Sequence, residues 1–209
     1  MRVLVVGTLP GIIAETADAL GEAGHAVVRC HDGADAFPCA ALEPGRTCPI
    51  EDGPVDVVVA ARDRAWPRPS PFEDGAVCAL RRHVPMVVTG PTMNLHPYSP
   101  YGAREVPPDG DVVTTCEEAV AAPLEGHGEV AFDSARTVLE LAGVDVSDLR
   151  ATVHHRLAEH GGGLVVELKL PEATPESPSG LRANLVAKVV GALRAYDPHA
   201  ATIDASIFS

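Results

Sequence analysis

Apolar residues form short unbroken runs in the first half of the chain and alternating or helically spaced patterns in the second. Arg2 to Val6, Ala26 to Cys30, Val55 to Ala60 and Pro85 to Thr89 have the length of strands, and unbroken apolar strands are what a parallel sheet needs when helices cover both its faces. Asp111 to Thr115, rich in valine and threonine, is expected to be a fifth strand leading into a helix at Glu117. Ile13, Ala17 and Leu20 share helical spacing within a helix over Ile12 to Ala23 that Gly24 stops, and Phe72 to Arg82 forms a second. Strands alternating with helices predict an α/β domain over residues 1–125, a doubly wound parallel five-stranded sheet with right-handed crossovers.

From residue 126 to 209 the pattern changes. A helix over Glu129 to Ala142 precedes two strands, Ala151 to Ala158 and Leu164 to Leu170, joined by the Gly-rich turn His160 to Gly163. A helix over Leu181 to Ala195 and a strand over Ala201 to Phe208 complete the unit. Leu164, Val166, Leu168 and Leu170 share one sheet face, and Leu181, Leu185, Val189 and Leu193 form a helical stripe suited to cover it. The order α-β-β-α-β is that of a smaller α+β, ferredoxin-like unit lacking its first strand. Its other sheet face is polar, with Thr152, His154, Glu167, Lys169, Asp204 and Ser206, and either meets solvent or pairs with a partner protein or a second copy.

Two segments are long for βα connections: Phe37 to Pro54, and Pro91 to Gly110. The second, with Ala65 to Pro71, leaves the carboxyl ends of the strands, where open parallel sheets place their ligand crevice. Thr8, Gly11, Arg62, Trp66, Thr89, His96, Tyr98, Tyr101 and Arg104 are the candidate ligand residues there, since aromatics beside arginines suit an anionic small molecule or a partner's side chains. The alternative is a Pro-stiffened loop packed on its own domain. The turn Gly7 to Gly11 offers helix-start N–H groups to an anion, although Pro10 removes a donor and no G-x-G-x-x-G is present.

The formal charge of −13 disfavours nucleic acid and anionic membranes as partners. The only lysines are Lys169 and Lys188, so residues 1–168 contain neither a P-loop lysine nor a Schiff-base lysine. With no apolar span approaching the ~20 residues of a membrane helix and no cleavage-type signature near Met1, a cytoplasmic location is expected.

Three stretches, Val3 to Val6, Leu20 to Val28 followed by Asp32-Gly-Ala-Asp-Ala36, and Val84 to Gly90, resemble the receiver domains of bacterial response regulators, which have the flavodoxin-like fold. Receiver chemistry requires an acidic pair after strand one, a phosphoacceptor aspartate ending strand three and a lysine after strand five. Here the pair falls on Gly7 and Thr8, the acceptor on Ala61, and the lysine is missing; Thr89 alone keeps the pattern, with Asp63 a displaced carboxylate. The resemblance therefore implies a receiver-like domain without its phosphoacceptor, and a non-catalytic regulatory or adaptor role.

The five cysteines leave a rival reading open. Cys30, His31, Cys39 and Cys48 offer a Cys₃His set to zinc, with Cys78 or Cys116 as alternative fourth ligands because adjacent residues make awkward ligands. Unligated, partly buried thiols are the other reading. Cys116, at the start of a helix, is either a reactive thiol or a packed one. A third function class, an enzyme or nucleotide-binding protein using the crevice, rests on Thr8, Arg62, Thr89 and the 91–110 loop.

Overall fold

The computed structural model describes residues 1–30, 39–42, 44–91, 96–171 and 180–208. The chain divides into two units, Met1–Ala121 with Leu157–His160, and Ala122–Arg156 with Gly161–Ser209.

In the first unit β1 (Arg2–Gly7), β2 (Ala26–Arg29), β3 (Val57–Ala61), β4 (Met86–Thr89) and β5 (Arg104–Glu105) form an all-parallel sheet in the order β2-β1-β3-β4-β5. Alternation along the strands sends residues into two separate cores. Leu4, Val6, Val58, Ala60, Met86 and Val88 face α2 (Asp74–Leu80), which contributes Ala76 and Ala79. Val3, Val5, Val57, Val59 and Val87 face α1 (Pro10–Glu22) and α3 (Val112–Ala121), which contribute Ile13, Ala17, Leu20, Cys116, Ala119 and Val120. Burial on both faces explains why these strands read as unbroken apolar runs.

The fifth strand is where the pattern misleads. Asp111 to Thr115 is not a strand: Asp111 accepts hydrogen bonds on Oδ2 from the Thr114 amide (2.9 Å) and hydroxyl (3.0 Å), and its carbonyl accepts from the Thr115 amide (3.1 Å). A capping aspartate satisfies first-turn donors and starts α3 despite the β-branched residues after it. The strand beside β4 is instead Arg104–Glu105, with both residues exposed. Two polar residues on a sheet edge carry no hydrophobic signal.

The second unit has a three-stranded sheet in the order β6-β7-β8, built from β6 (Arg150–His155), β7 (Leu164–Lys169) and β8 (Ile203–Phe208). β6 and β7 run antiparallel and β7 and β8 parallel. Val153, Leu164, Val166 and Leu168 are buried with Ala131, Ala135 and Leu139 of α4 (Glu125–Leu141) and Leu185, Val189 and Leu193 of α5 (Leu181–Tyr196). On β8, Ile203, Ala205 and Ile207 pack against this core while Asp204, Ser206 and Phe208 are exposed. No described helix is long and apolar enough to cross a membrane.

Candidate functional site

The carboxyl ends of β1, β3 and β4 lie side by side, and close backbone approaches lock them together. At Gly7 a Cβ would stand 2.4 Å from the Ala61 carbonyl oxygen. Gly90, at φ 109°, would place one 1.8 Å from the Arg62 carbonyl oxygen, so the chain leaving β4 can pass there only as glycine. The Thr8 amide donates to the Ala61 carbonyl (3.0 Å) and the Arg62 amide to the Thr89 carbonyl (2.9 Å).

Beyond these strand ends two polar groups form. In the first, the Thr8 hydroxyl donates to Asp63 Oδ1 (2.5 Å) and accepts from the Asp63 amide (2.9 Å). Thr8 is buried, and Asp63 also lies 3.8 Å from Arg64. Asp63 is thus engaged by Thr8, while Ala61, at the end of β3, is fully buried.

The second group is buried and charged. Arg62 is 1% exposed, Glu73 0% and Tyr98 1%. Arg62 Nη2 donates to the Arg68 carbonyl (3.0 Å), Nε stands 3.4 Å from Glu73 Oε1, and the guanidinium carbon lies 6.0 Å from the Tyr98 ring centre. Glu73 Oε2 accepts from the Ser70 amide (2.7 Å), the reciprocal contact of a Ser-x-x-Glu helix start. Arg62 Nη1 has no hydrogen-bond partner among the described residues, and Nε keeps only its 3.4 Å contact with Glu73 Oε1, while the Glu73 carboxylate is also the hydrogen-bonding neighbour of the Tyr98 phenol. Burial, reinforced by the Glu73 carboxylate, pushes the Tyr98 phenol well above its ordinary range and keeps it protonated. The Tyr98 amide donates to His96 Nδ1 (3.1 Å), which leaves Nε2 carrying the proton toward Glu105 Oε1 (3.0 Å).

Of the candidate ligand residues, the fold therefore gathers Arg62, His96 and Tyr98, but inside the protein. Thr89 is half-buried, Gly11 is exposed on the first turn of α1, and a Cβ there would meet nothing within 4 Å. Trp66 is 42% exposed and carries Arg64, not Arg68, over its ring at 4.4 Å. Tyr101 is 66% exposed, and Arg104 reaches Glu118 (3.8 Å) from the sheet edge. The residue that sequence reasoning missed is Glu73; the signal was present in Ser70-Pro-Phe-Glu73, a capping-box pattern directly before a helix.

The cysteines separate by sheet face. Cys30 is buried in the core beside α2, and Cys48 packs against the same cluster. Cys116 is fully buried in the opposite core, where burial, with Asp111 and Glu117, pushes its thiol up to about 12; it is packed and protonated rather than reactive. His31 lies outside the described residues. Among the described residues no group of three or more His, Cys, Asp or Glu is arranged to hold a metal ion.

A scan against protein-family models finds no match for this chain, and a search of curated proteins finds none either.

Proposed function

We propose that this chain is a non-catalytic regulatory or adaptor protein, in which a receiver-like domain without a phosphoacceptor is joined to a ferredoxin-like unit that mediates assembly or partner contact. The strand order β2-β1-β3-β4-β5 is that of flavodoxin-like folds and supports the first part. The observation that carries the reading is the engagement of Asp63 by Thr8 at the carboxyl ends of β1 and β3. Where a phosphoacceptor site needs free carboxylates around a metal ion, Gly7 abuts the Ala61 carbonyl, and the Thr8 hydroxyl and Asp63 bond each other. The polar open face of the three-stranded sheet supports the partner role.

Incubating the full chain with acetyl phosphate and Mg²⁺ and measuring its intact mass tests this directly. An unchanged mass is expected. A phosphoryl adduct on the parent that disappears in Asp63→Asn overturns the reading.

A second reading has one observation in its favour. Trp66 and Tyr101 stay exposed at the carboxyl rim, with Arg64 stacked on Trp66, a composition suited to an anionic small molecule. A dose-dependent thermal shift with nucleotides, sugar nucleotides or acyl-CoA, lost in Trp66→Ala, favours it; no shift with any of them removes it.

A further inference from the structure

We propose that the free edge of β6, with the face of α4 beside it, is a strand-addition site for an extended segment of a partner protein that alternates basic and aliphatic residues. The proposal rests on the adaptor reading for its role, and supplies the surface and the partner's chemistry. β6 stands at one end of the three-stranded sheet and pairs only with β7. The two run in register from Arg150 opposite Lys169 to His155 opposite Leu164, and at the next pair the Arg156 amide donates to the Gly163 carbonyl (2.8 Å). Directly opposed residues of an antiparallel ladder alternate between bonded and non-bonded pairs. Thr152 and His154 therefore belong to the bonded set of Arg156, and Ala151 and Val153 turn their amides and carbonyls to the outer edge. The Val153 carbonyl accepts the Leu124 amide there (2.8 Å), which fixes the same phase. The Ala151 amide and carbonyl and the Val153 amide have no hydrogen-bond partner among the described residues.

These groups open onto a groove of about 620 Å³. Its strand wall is residues 149–153 of β6 and the turn before it, and its helix wall is one face of α4, where Glu125, Gly128, Glu129, Phe132 and Asp133 recur at helical spacing. Opposite Ala151 the helix presents Gly128, where a Cβ would stand 3.5 Å from the Ala151 carbonyl oxygen, so glycine leaves that acceptor uncrowded. An edge strand flanked by a helix is the arrangement in which main-chain hydrogen bonds supply affinity and the helix wall reads alternate side chains. β6 carries neither the proline nor the bulge with which sheet edges are commonly blocked.

Charge selects the occupant. Glu125 and Glu129 are exposed on the groove wall and have no ion pair among the described residues, while Asp133 pairs with Arg136 (3.0 Å). Arg150, the cation of the strand wall, donates to the Ser147 (3.3 Å) and Leu149 (2.7 Å) carbonyls, which hold its guanidinium against its own turn. A segment carrying lysine or arginine therefore meets two uncompensated carboxylates, and its aliphatic residues cover Leu124 and Phe132, both half-buried at the margin of the core. A second copy of this chain is a poor occupant, because its formal charge of −13 brings like charge to an acidic wall.

The test titrates the full chain against a fluorescein-labelled peptide of Lys-Val repeats, read by fluorescence anisotropy. Its controls are the same peptide N-methylated at every amide, which keeps the charge but cannot pair as a strand, and a peptide of Glu-Val repeats. Saturable binding of the Lys-Val peptide is expected, with both controls at least about tenfold weaker. Hydrogen exchange followed by NMR should show the Ala151 and Val153 amides open in the free chain and protected by the peptide. Ala151→Pro removes an outward amide that the β7 ladder does not use, a change that edge strands accept, and should weaken binding about tenfold. Glu125→Gln with Glu129→Gln leaves the edge intact and should weaken binding about tenfold at low salt; it carries the test if circular dichroism shows Ala151→Pro to be unfolded. Protected amides in the free chain, no binding, equal binding of the N-methylated peptide, or undiminished binding by the double variant overturns the proposal. So does a dimer in sedimentation velocity that is lost in Ala151→Pro, which gives the edge to a second copy. Failure of these measurements with an unchanged mass after acetyl phosphate removes this site alone, whereas a phosphoryl adduct lost in Asp63→Asn removes the adaptor reading whatever the peptide does.

Discussion

Among the described residues, Arg62–Glu73 in the first unit and His127–Asp197 in the second are buried polar pairs, and the two are built differently. In the second unit His127 Nε2 meets Asp197 Oδ2 at 3.2 Å, Asp197 Oδ1 accepts the His199 amide at 3.1 Å, and the His127 ring meets Tyr196 edge-on at 5.0 Å. The pair joins the first turn of α4 to the end of α5, and both carboxylate oxygens have partners. In the first unit Arg62 and Glu73 are at least as buried, yet guanidinium Nη1 has no hydrogen-bond partner among the described residues and Nε reaches Glu73 Oε1 only at 3.4 Å. A satisfied pair costs little to keep and fixes how two helices meet. An incompletely satisfied pair is expensive, and this one sits at the rim where parallel sheets place their ligands. The difference marks the second pair as a satisfied structural joint and the first as an incompletely satisfied pair inside the first unit.

The largest effect follows from removing one partner of the costly pair. Glu73→Ala leaves the Arg62 guanidinium buried without its counter-charge, and urea denaturation should show a loss of about 3–5 kcal/mol. Replacing both, as Arg62→Met with Glu73→Leu, removes the desolvation burden together with the attraction, and the double variant should recover most of that loss or exceed the parent. A double variant as unstable as Glu73→Ala alone would show that the pair is better satisfied than its unpartnered atoms imply.

The same contrast shows what the chain's pattern revealed. The two cores of the first sheet were legible because burial on both faces forces Val3 to Val6 and Val57 to Ala61 to be apolar without interruption, and the hairpin of β6 and β7 was legible from its alternation and glycines. Pairing across distance leaves no such mark. Arg62, His96 and Tyr98 were recognisable as polar residues near strand ends, but only the fold shows that they face inward, because burial of a charge depends on a partner, Glu73, that lies eleven residues away on another element. The misplaced fifth strand has a local cause: one aspartate outweighed the β preference of the four residues after it.

A smaller effect is expected at the satisfied joint. Asp197→Ala removes the acceptor of His127 Nε2 and of the His199 amide, and should cost about 1–3 kcal/mol, the usual penalty for stranding buried donors. Asp197→Asn keeps an acceptor oxygen and should lose less. If Asp197→Ala proves as damaging as Glu73→Ala, the contrast between the two buried pairs fails.

The smallest effect lies at the exposed start of α3, and it calibrates the other two because it involves almost no burial. Hydrogen bonds from the Thr114 amide and hydroxyl hold the Asp111 carboxyl below its ordinary range. A folded-state value below the unfolded one means that the unfolded chain binds the proton more readily, so the stabilisation is fully present above the unfolded value and disappears as pH falls through the folded one. Asp111→Ala should therefore cost roughly 1 kcal/mol at neutral pH, as loss of a helix cap does, with the difference from the parent shrinking in acid. Asp111→Asn keeps a capping oxygen without a titrating charge, so it should retain most of the stability and lose that pH dependence. Thermal melts of the three proteins across the acidic range separate cap from charge: a gap between parent and Asp111→Ala that stays constant with pH would assign the effect to backbone preference, and the β-branched run after residue 111 would then be helical for tertiary reasons alone.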